Sequence, residues 1–248
     1  MPEREFTAPG FAISRRRILG AGVAALALSA ATACARAIHG KTPWEEGAGV
    51  PPTRVGPSGW TYFTPEEASL VETLVDLLIP PDPVTPGGKQ AGVAVFIDRQ
   101  LAGPYGSSAA LYMRPPFANG TPEQGLQSPL TPAVRYRQAL AALDQHAKSG
   151  FAGKVFRDIP VDRQLDIVRR LESGDLVLAG TNGRAFFELL LANTREGFFA
   201  DPVYGGNRDM AGWKMIGFPG ARYDYRMWVA HHNERFPLPP ISIGGRPA

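Results

Sequence analysis

Two Thr-Pro pairs each precede apolar residues at helical spacing, and this pattern constrains the fold more than any other feature of the chain. At the first pair, Thr64 can cap a helix, Pro65 suits its first turn, and Glu67 can complete a capping box. Thr131 and Pro132 repeat the cap and the proline. Apolar residues then recur every three or four positions, as on the buried face of a helix.

The same spacing predicts five helical segments along the chain. They span residues 64–79, 93–102, 131–150, 162–174 and 183–196. We expect Asp162 to cap the fourth helix, and the fifth, which is apolar on more than one side, to lie at the centre of a domain. No stretch shows the period-two alternation of a half-buried strand. The sequence therefore predicts an all-α fold, a single irregular domain of about five or six helices.

Proline and glycine divide the chain into regions and indicate long connections. The 24 prolines and 28 glycines favour long, Pro/Gly-rich ordered loops. The longest, residues 104–131, contains several aromatic residues, which favours an ordered loop that contacts something. We predict a signal segment, a Pro/Gly-rich linker, a helical domain and a Pro-rich tail, at residues 1–33, 34–62, 63–236 and 237–248.

The first 33 residues have the layout of a secretory signal. Arg15 and Arg16 follow Ser14 and precede residues 18–33, an apolar stretch rich in Ala and Gly that ends in small residues. Paired arginines at this place match the twin-arginine form, whose translocase exports folded cargo. A transmembrane helix is the alternative, but the apolar run is shorter than the roughly 20 residues needed to span a bilayer. We expect a periplasmic protein.

Cys34 is the only cysteine, which excludes an intramolecular disulfide, a multi-thiolate metal site and the C-x-x-C-H attachment of haem. Directly after the small residues of the signal, it is open to two interpretations. It is either incidental beside a cleavage site or the lipid-accepting first residue of a mature lipoprotein. Ala31 stands where such a lipoprotein usually has leucine.

Charge and motifs exclude several classes of function. The first 33 residues hold four arginines against two glutamates, so their removal lowers the net charge from +3 to +1. The basic residues of the body are scattered, and we therefore expect no nucleic-acid partner. There is no G-x-G-x-x-G after a strand and no G-x-S-x-G nucleophile motif. We predict no catalytic residue, no cofactor and no metal in this chain.

The densest local signal lies between residues 199 and 220. It is rich in turn formers and glycines, which permit tight turns and close backbone approach. We expect Arg208 and Asp209 to hold the loop in one shape through charge-assisted hydrogen bonds, and Trp213 to anchor it. An alternative is that Asp201 and Asp209 form an acid/base pair. We favour turn-stabilising roles for both residues over this alternative. The candidate residues are Asp201, Pro202, Tyr204, Gly205, Gly206, Asn207, Arg208, Asp209, Gly212, Trp213, Gly217, Pro219 and Gly220.

This motif resembles the hallmark of the gluconate 2-dehydrogenase subunit 3 family. Its members are the small subunits of membrane-associated, flavin-dependent sugar and sugar-acid dehydrogenases. Three other features agree with the resemblance: the twin-arginine leader, the helix opening at residues 63–67, and residues 92–98 with their Phe96-Ile97-Asp98. The resemblance covers roughly residues 60–230.

The resemblance implies a division of labour between subunits. A large flavin subunit of the glucose–methanol–choline (GMC) oxidoreductase type oxidises the sugar with FAD, and a cytochrome c subunit with haem c often carries the electrons onward. The small subunit is thought to bind the flavin subunit, which lacks an export signal, and to escort it across the inner membrane. The complex or a lipid anchor then keeps the chain at that membrane. We expect partner contacts at the motif, at residues 104–131, and at the termini, 35–62 and 236–248.

Two alternatives belong to other classes of function. A stand-alone periplasmic enzyme could be exported folded because it takes up a metal in the cytoplasm, and a lipid-anchored binding protein would need no enzyme partner. His231 and His232 are the metal-ligand candidates for the first alternative, although adjacent histidines point to different faces of a helix and are more typical of a surface or interface.

Overall fold

The computed structural model describes residues 54–56, 59–118, 120–125, 127–222 and 224–245. Arg15, Arg16 and Cys34 lie outside the described residues. Within these ranges no β-sheet forms, so the all-α prediction is confirmed. Every helix of the described part is too short or too polar to span a bilayer. The α-helices there are α1 Pro65–Leu78, α2 Val93–Ala102, α3 Pro132–Gly150, α4 Val161–Ser173, α5 Gly183–Phe199 and α6 Ala211–Ile216.

The predicted helix starts at both Thr-Pro pairs are confirmed. The Thr64 hydroxyl accepts a hydrogen bond from the backbone N–H of Glu67, and the Glu67 carboxylate accepts one from the N–H of Thr64. The Thr131 hydroxyl accepts from the N–H of Val134. These bonds satisfy backbone donors that the first turn of a helix cannot pair internally.

The prediction that Asp162 caps the fourth helix is wrong. The residue at the cap of α4 is Pro160, whose backbone carbonyl accepts from the N–H of Gln164 at 3.0 Å. Pro160 has an extended ψ of 144°, and the helix begins after it, two residues earlier than a cap at Asp162 would give. Asp162 lies in the first turn, where a carboxylate still favours the positive end of the helix dipole.

Helix α5 lies at the centre of the core, as its apolar pattern predicts. It packs against α1, α2, α3, α4 and α6. Phe186, Leu190 and Phe198 on this helix are each 1% exposed. The ring of Tyr136 on α3 lies edge-on to Phe186, with centroids 5.5 Å apart, and connects the two helices through the aromatic core.

A buried carboxylate fixes the chain segment that leads into α1. Asp98 on α2 is fully buried and accepts 2.9 Å hydrogen bonds from the backbone N–H groups of Thr61, Tyr62 and Phe63. The Arg99 guanidinium also pairs with this carboxylate. The two segments that supported the family resemblance, residues 63–67 and 92–98, therefore meet at one side chain.

The long connection 104–131 is held to the core at its beginning. Asn193 of α5 is buried, and its amide donates to the Tyr105 hydroxyl at 2.9 Å and to the Glu196 carboxylate at 3.0 Å. The Tyr136 hydroxyl donates to the same Asn193 side chain at 3.0 Å. Farther along, Tyr112 is 81% exposed, so the middle of the connection faces solvent.

Candidate functional site

The motif at residues 201–220 folds into short elements. A 3-10 turn at Pro202–Tyr204 and a tight turn at Arg208–Met210, in which Asp209 has a left-handed φ of +54°, precede α6. The sequence pattern predicts turns here and does not predict α6, since six residues are too few to show a helical period. The motif returns the chain onto the C-terminal end of α5, where it packs.

Asn207 holds the centre of the motif. Its side chain is buried, donates to the backbone carbonyl of Ala200 at 2.8 Å, and accepts from the N–H of Gly212 at 2.8 Å. The residue itself has a φ of +47°, in the left-handed region that asparagine tolerates better than most residues. One amide therefore joins the end of α5 to the start of α6.

Two glycines allow the motif to approach α5 at backbone distance. A Cβ on Gly206 would lie 2.2 Å from the carbonyl oxygen of Gly197, and a Cβ on Gly212 would lie 2.2 Å from that of Phe198. Real Cβ atoms do not approach an oxygen so closely, so any larger residue would push the motif away from the helix.

Trp213 is the predicted anchor, and the structure confirms this role. The side chain is 5% exposed, and its indole N–H donates to the backbone carbonyl of Phe199 at 2.7 Å. Its ring lies edge-on to that of Phe218, with centroids 5.1 Å apart. Trp213 thereby supplies the apolar contact between α6 and the end of α5.

Asp201 ties the start of the motif to the C-terminal segment. Its carboxylate accepts from the N–H of Val203 at 3.0 Å, from the hydroxyl of Ser242 at 2.5 Å, and from the N–H of Ile243 at 2.7 Å. The turn-stabilising role expected of Asp201 is confirmed, and it extends to the C-terminal segment. With these donors in place, the geometry favours a structural role over acid/base chemistry.

The two ends of the described chain also contact the motif. The N–H of Val55 donates to the carbonyl of Val203 at 2.9 Å. The carbonyl of Pro219 accepts from the N–H of Ile241 at 3.3 Å, beside Gly220. Parts of the predicted linker and tail therefore lie against residues 201–220.

The prediction that Arg208 and Asp209 stabilise the motif through their side chains is wrong. Both side chains are exposed, and neither forms a hydrogen bond or ion pair with any residue in the described ranges. Only the backbone of Arg208 is engaged: its N–H donates to the carbonyl of Ala91 at 3.0 Å, and its carbonyl accepts from the N–H of Ala211. The amide of Asn207 and the carboxylate of Asp201 hold the loop instead, which leaves both charges directed outward.

Arg208 and Asp209 line two surface grooves. The first, which we call the arm groove, has a volume of about 240 Å³ and is also lined by Val55 and Met210. The second, the basic groove, has a volume of about 700 Å³. Its lining includes Val84, Arg208, Asp209, Lys214, Met215 and Arg235. The two charged residues thus line both grooves.

The remaining motif residues have mixed environments. Pro202 begins the first 3-10 turn, and the Tyr204 side chain next to it is 39% exposed. Gly205 ends that turn with a φ of +96°. Gly217 ends α6 in the left-handed conformation that is typical of a helix C-terminus.

The basic groove includes residues that the sequence interpretation did not single out. Lys214 and Met215 lie inside the motif and could have been noted as polar and apolar neighbours on a short segment. Val84 and Arg235 are distant in sequence and join the groove only through the fold. No local signal in the sequence marks them.

His231 and His232 lie on the surface. The His231 ring stacks on Trp228 with centroids 4.2 Å apart, and its Nδ1 lies 2.9 Å from the Glu234 carboxylate. In the part of the chain that the structure describes, no three His, Cys, Asp or Glu side chains are grouped as a metal site would need. The geometry supports the surface interpretation of this pair.

The fold and the site define a helical domain that presents a rigid, glycine-packed motif at its surface. A family model, gluconate 2-dehydrogenase subunit 3, matches residues 65–220, from the start of α1 to the end of the motif. The match covers more than half of the chain, which therefore belongs to the gluconate 2-dehydrogenase subunit 3 family. Neither a curated protein nor a solved structure matches the chain significantly. Membership as a third subunit places the chain in an oxidoreductase complex and implies partner subunits.

Proposed function

We propose that this chain is the non-catalytic small subunit of a periplasmic, FAD-dependent gluconate or sugar dehydrogenase complex. It binds the GMC-type flavin subunit in the cytoplasm, supplies the twin-arginine signal for their joint export, and stabilises that subunit afterwards. FAD belongs to the flavin subunit, and haem c to a cytochrome c subunit where the complex has one. The family match and the signal-like leader support this proposal.

One observation carries the proposed binding role. Arg208 and Asp209 extend from a motif whose backbone is strained, since Asn207, Asp209 and Met210 all have φ near +50°. Such conformations are energetically unfavourable for residues other than glycine. They cluster at functional sites, where the surrounding structure enforces them. Because the two charged side chains form no hydrogen bond or ion pair within the described residues, recognition of a partner explains their presentation.

The export role is tested by expressing the flavin subunit together with variants of this chain. The double variant Arg15→Lys and Arg16→Lys should leave the flavin subunit in the cytoplasm. The matched control is Arg17→Lys, which makes the same chemical change one residue outside the pair. Flavin subunit activity in periplasmic fractions is the readout. Normal periplasmic amounts with the double variant would contradict the escort role.

The binding role is tested separately with residues 35–248. This segment should co-purify with the flavin subunit at low salt, while the segment purified alone should hold no stoichiometric flavin, haem or metal. Absorbance spectra and elemental analysis measure these contents. A stoichiometric metal would support the stand-alone enzyme instead. Mass spectrometry of the exported full-length chain shows separately whether Cys34 carries a lipid.

A further inference from the structure

The basic groove combines unpaired charge with exposed apolar surface. Arg208, Lys214 and Arg235 line it, and in the described ranges none of their side chains forms an ion pair or hydrogen bond. Met215 is 51% exposed and Val84 is 92% exposed at the same groove. Apolar surface of this kind is costly in water, and a rim of charge around it is typical of a protein interaction site.

Helix α6 presents two different faces. Trp213 on one side is buried against α5, while the neighbouring Met215 and Ile216 are 51% and 58% exposed. Met215 of this exposed face lines the basic groove together with Lys214. The helix is fixed in place by Asn207 and Trp213, so this face is presented in one orientation.

The geometry points to the basic groove as the docking site for an extended, acidic segment of a partner subunit. Carboxylates of that segment pair with Arg208, Lys214 and Arg235, and its apolar side chains cover Met215 and Val84. This inference rests on the proposed function, since it names where and by what chemistry the partner binds.

Asp209 distinguishes a peptide from other anionic ligands. Its carboxylate lines the groove with Arg208 and can accept hydrogen bonds from the backbone N–H groups of a peptide. It repels every anionic group, the carboxylates of the segment included, but a peptide backbone offsets this with N–H donors that a polyphosphate lacks. The acidic side chains of an extended segment match the basic side chains of the groove. Its backbone N–H groups match the Asp209 carboxylate, and its apolar side chains match Met215.

The test uses the full chain co-expressed with the flavin subunit. The variant Arg208→Glu with Lys214→Glu reverses two charges in the groove. The control, Lys154→Glu with Arg169→Glu, makes the same total charge change at two exposed positions outside both grooves. We expect the groove variant to raise the dissociation constant by about tenfold or more, and the control to bind with the dissociation constant of the wild type. The difference should shrink as salt is raised.

A crosslinking experiment supports the result if the groove variant folds poorly. A photoreactive p-benzoylphenylalanine at Met215 should crosslink to the partner, and the same group at Val177, which is 86% exposed, should not. Equal binding of the two double variants, or crosslinking only from position 177, would overturn the inference while the proposed function stands. Failure of the wild type to bind the flavin subunit at all would instead contradict the proposed function.

Discussion

The carboxylate of Asp98 accepts a 2.9 Å hydrogen bond from the backbone N–H of Phe63, across 35 residues of sequence. Thr61 and Tyr62 donate to the same carboxylate, so one side chain on α2 binds three successive N–H groups of the bend that leads into α1. Three charge-assisted bonds satisfy the buried negative charge. The position of α1, the first helix of the domain, therefore depends on Asp98.

We expect Asp98→Asn to lower the free energy of unfolding by about 2–4 kcal/mol, because the amide replaces one acceptor oxygen by a donor and leaves buried N–H groups unpaired. Urea unfolding followed by circular dichroism measures the change. Asp166→Asn is the control, since its 4.0 Å pair with Arg170 is exposed and should matter by less than about 0.5 kcal/mol. Equal effects of the two substitutions would show that Asp98 is not the support described.

The helices were predictable from the sequence because their signals are local. Thr64 and Thr131 cap the helices that directly follow them. The apolar residues on more than one side of α5 predict that this helix is buried. The role of Asp98 was not predictable, since its donors lie more than 30 residues away.

In the motif, turn formers and the Trp213 anchor were predictable from residue type, whereas the assignment of Arg208 and Asp209 as internal supports was wrong. Residue type shows that a charged side chain can form a strong hydrogen bond, and it does not show which way the side chain points. That direction is set by the left-handed backbone at Asn207 and Asp209, which follows from packing on α5.

Substitutions of Asn207 should separate its two contributions. Asn207→Gly keeps the left-handed backbone without strain but removes both side-chain hydrogen bonds, and should cost about 1–3 kcal/mol. Asn207→Ala removes the same bonds and adds the strain of a Cβ at positive φ, about 1 kcal/mol more. Chemical unfolding of both variants measures the order. An alanine variant as stable as the glycine variant would contradict the strain at this position.

Gly206→Ala tests the close approach of the motif to α5. The new Cβ would meet the carbonyl oxygen of Gly197 at 2.2 Å, and backbone on both sides must shift, so we expect a loss of about 3 kcal/mol. Gly150→Ala, at the end of α3, has no atom within 4 Å of the new Cβ and should be neutral or slightly stabilising. Thermal unfolding compares the two. A neutral Gly206→Ala would mean that the motif does not pack at backbone distance.

Tyr136 should make the domain less stable at high pH. Burial raises the pKa of its hydroxyl well above the ordinary value of 10.0, and the neighbouring Tyr105 and Glu196 charges act in the same direction. The unfolded chain therefore loses this proton as pH rises above about 10 while the folded chain keeps it. The contribution of the Tyr136 hydroxyl to the free energy of unfolding is fully present below about pH 10. Above that pH it decreases by roughly 1.4 kcal/mol for each pH unit, until the pKa of the folded state is reached.

Tyr136→Phe removes the ionisable hydroxyl and should flatten the fall of stability between pH 10 and pH 11.5. It should also cost about 1 kcal/mol at neutral pH, because Asn193 loses the donor at 3.0 Å. Urea unfolding at a series of pH values measures both effects. Tyr112→Phe, at an 81% exposed position, is the matched control and should leave the profile of the wild type unchanged. If the Tyr136→Phe profile falls as steeply as that of the wild type, the buried hydroxyl is not the cause of the alkaline loss.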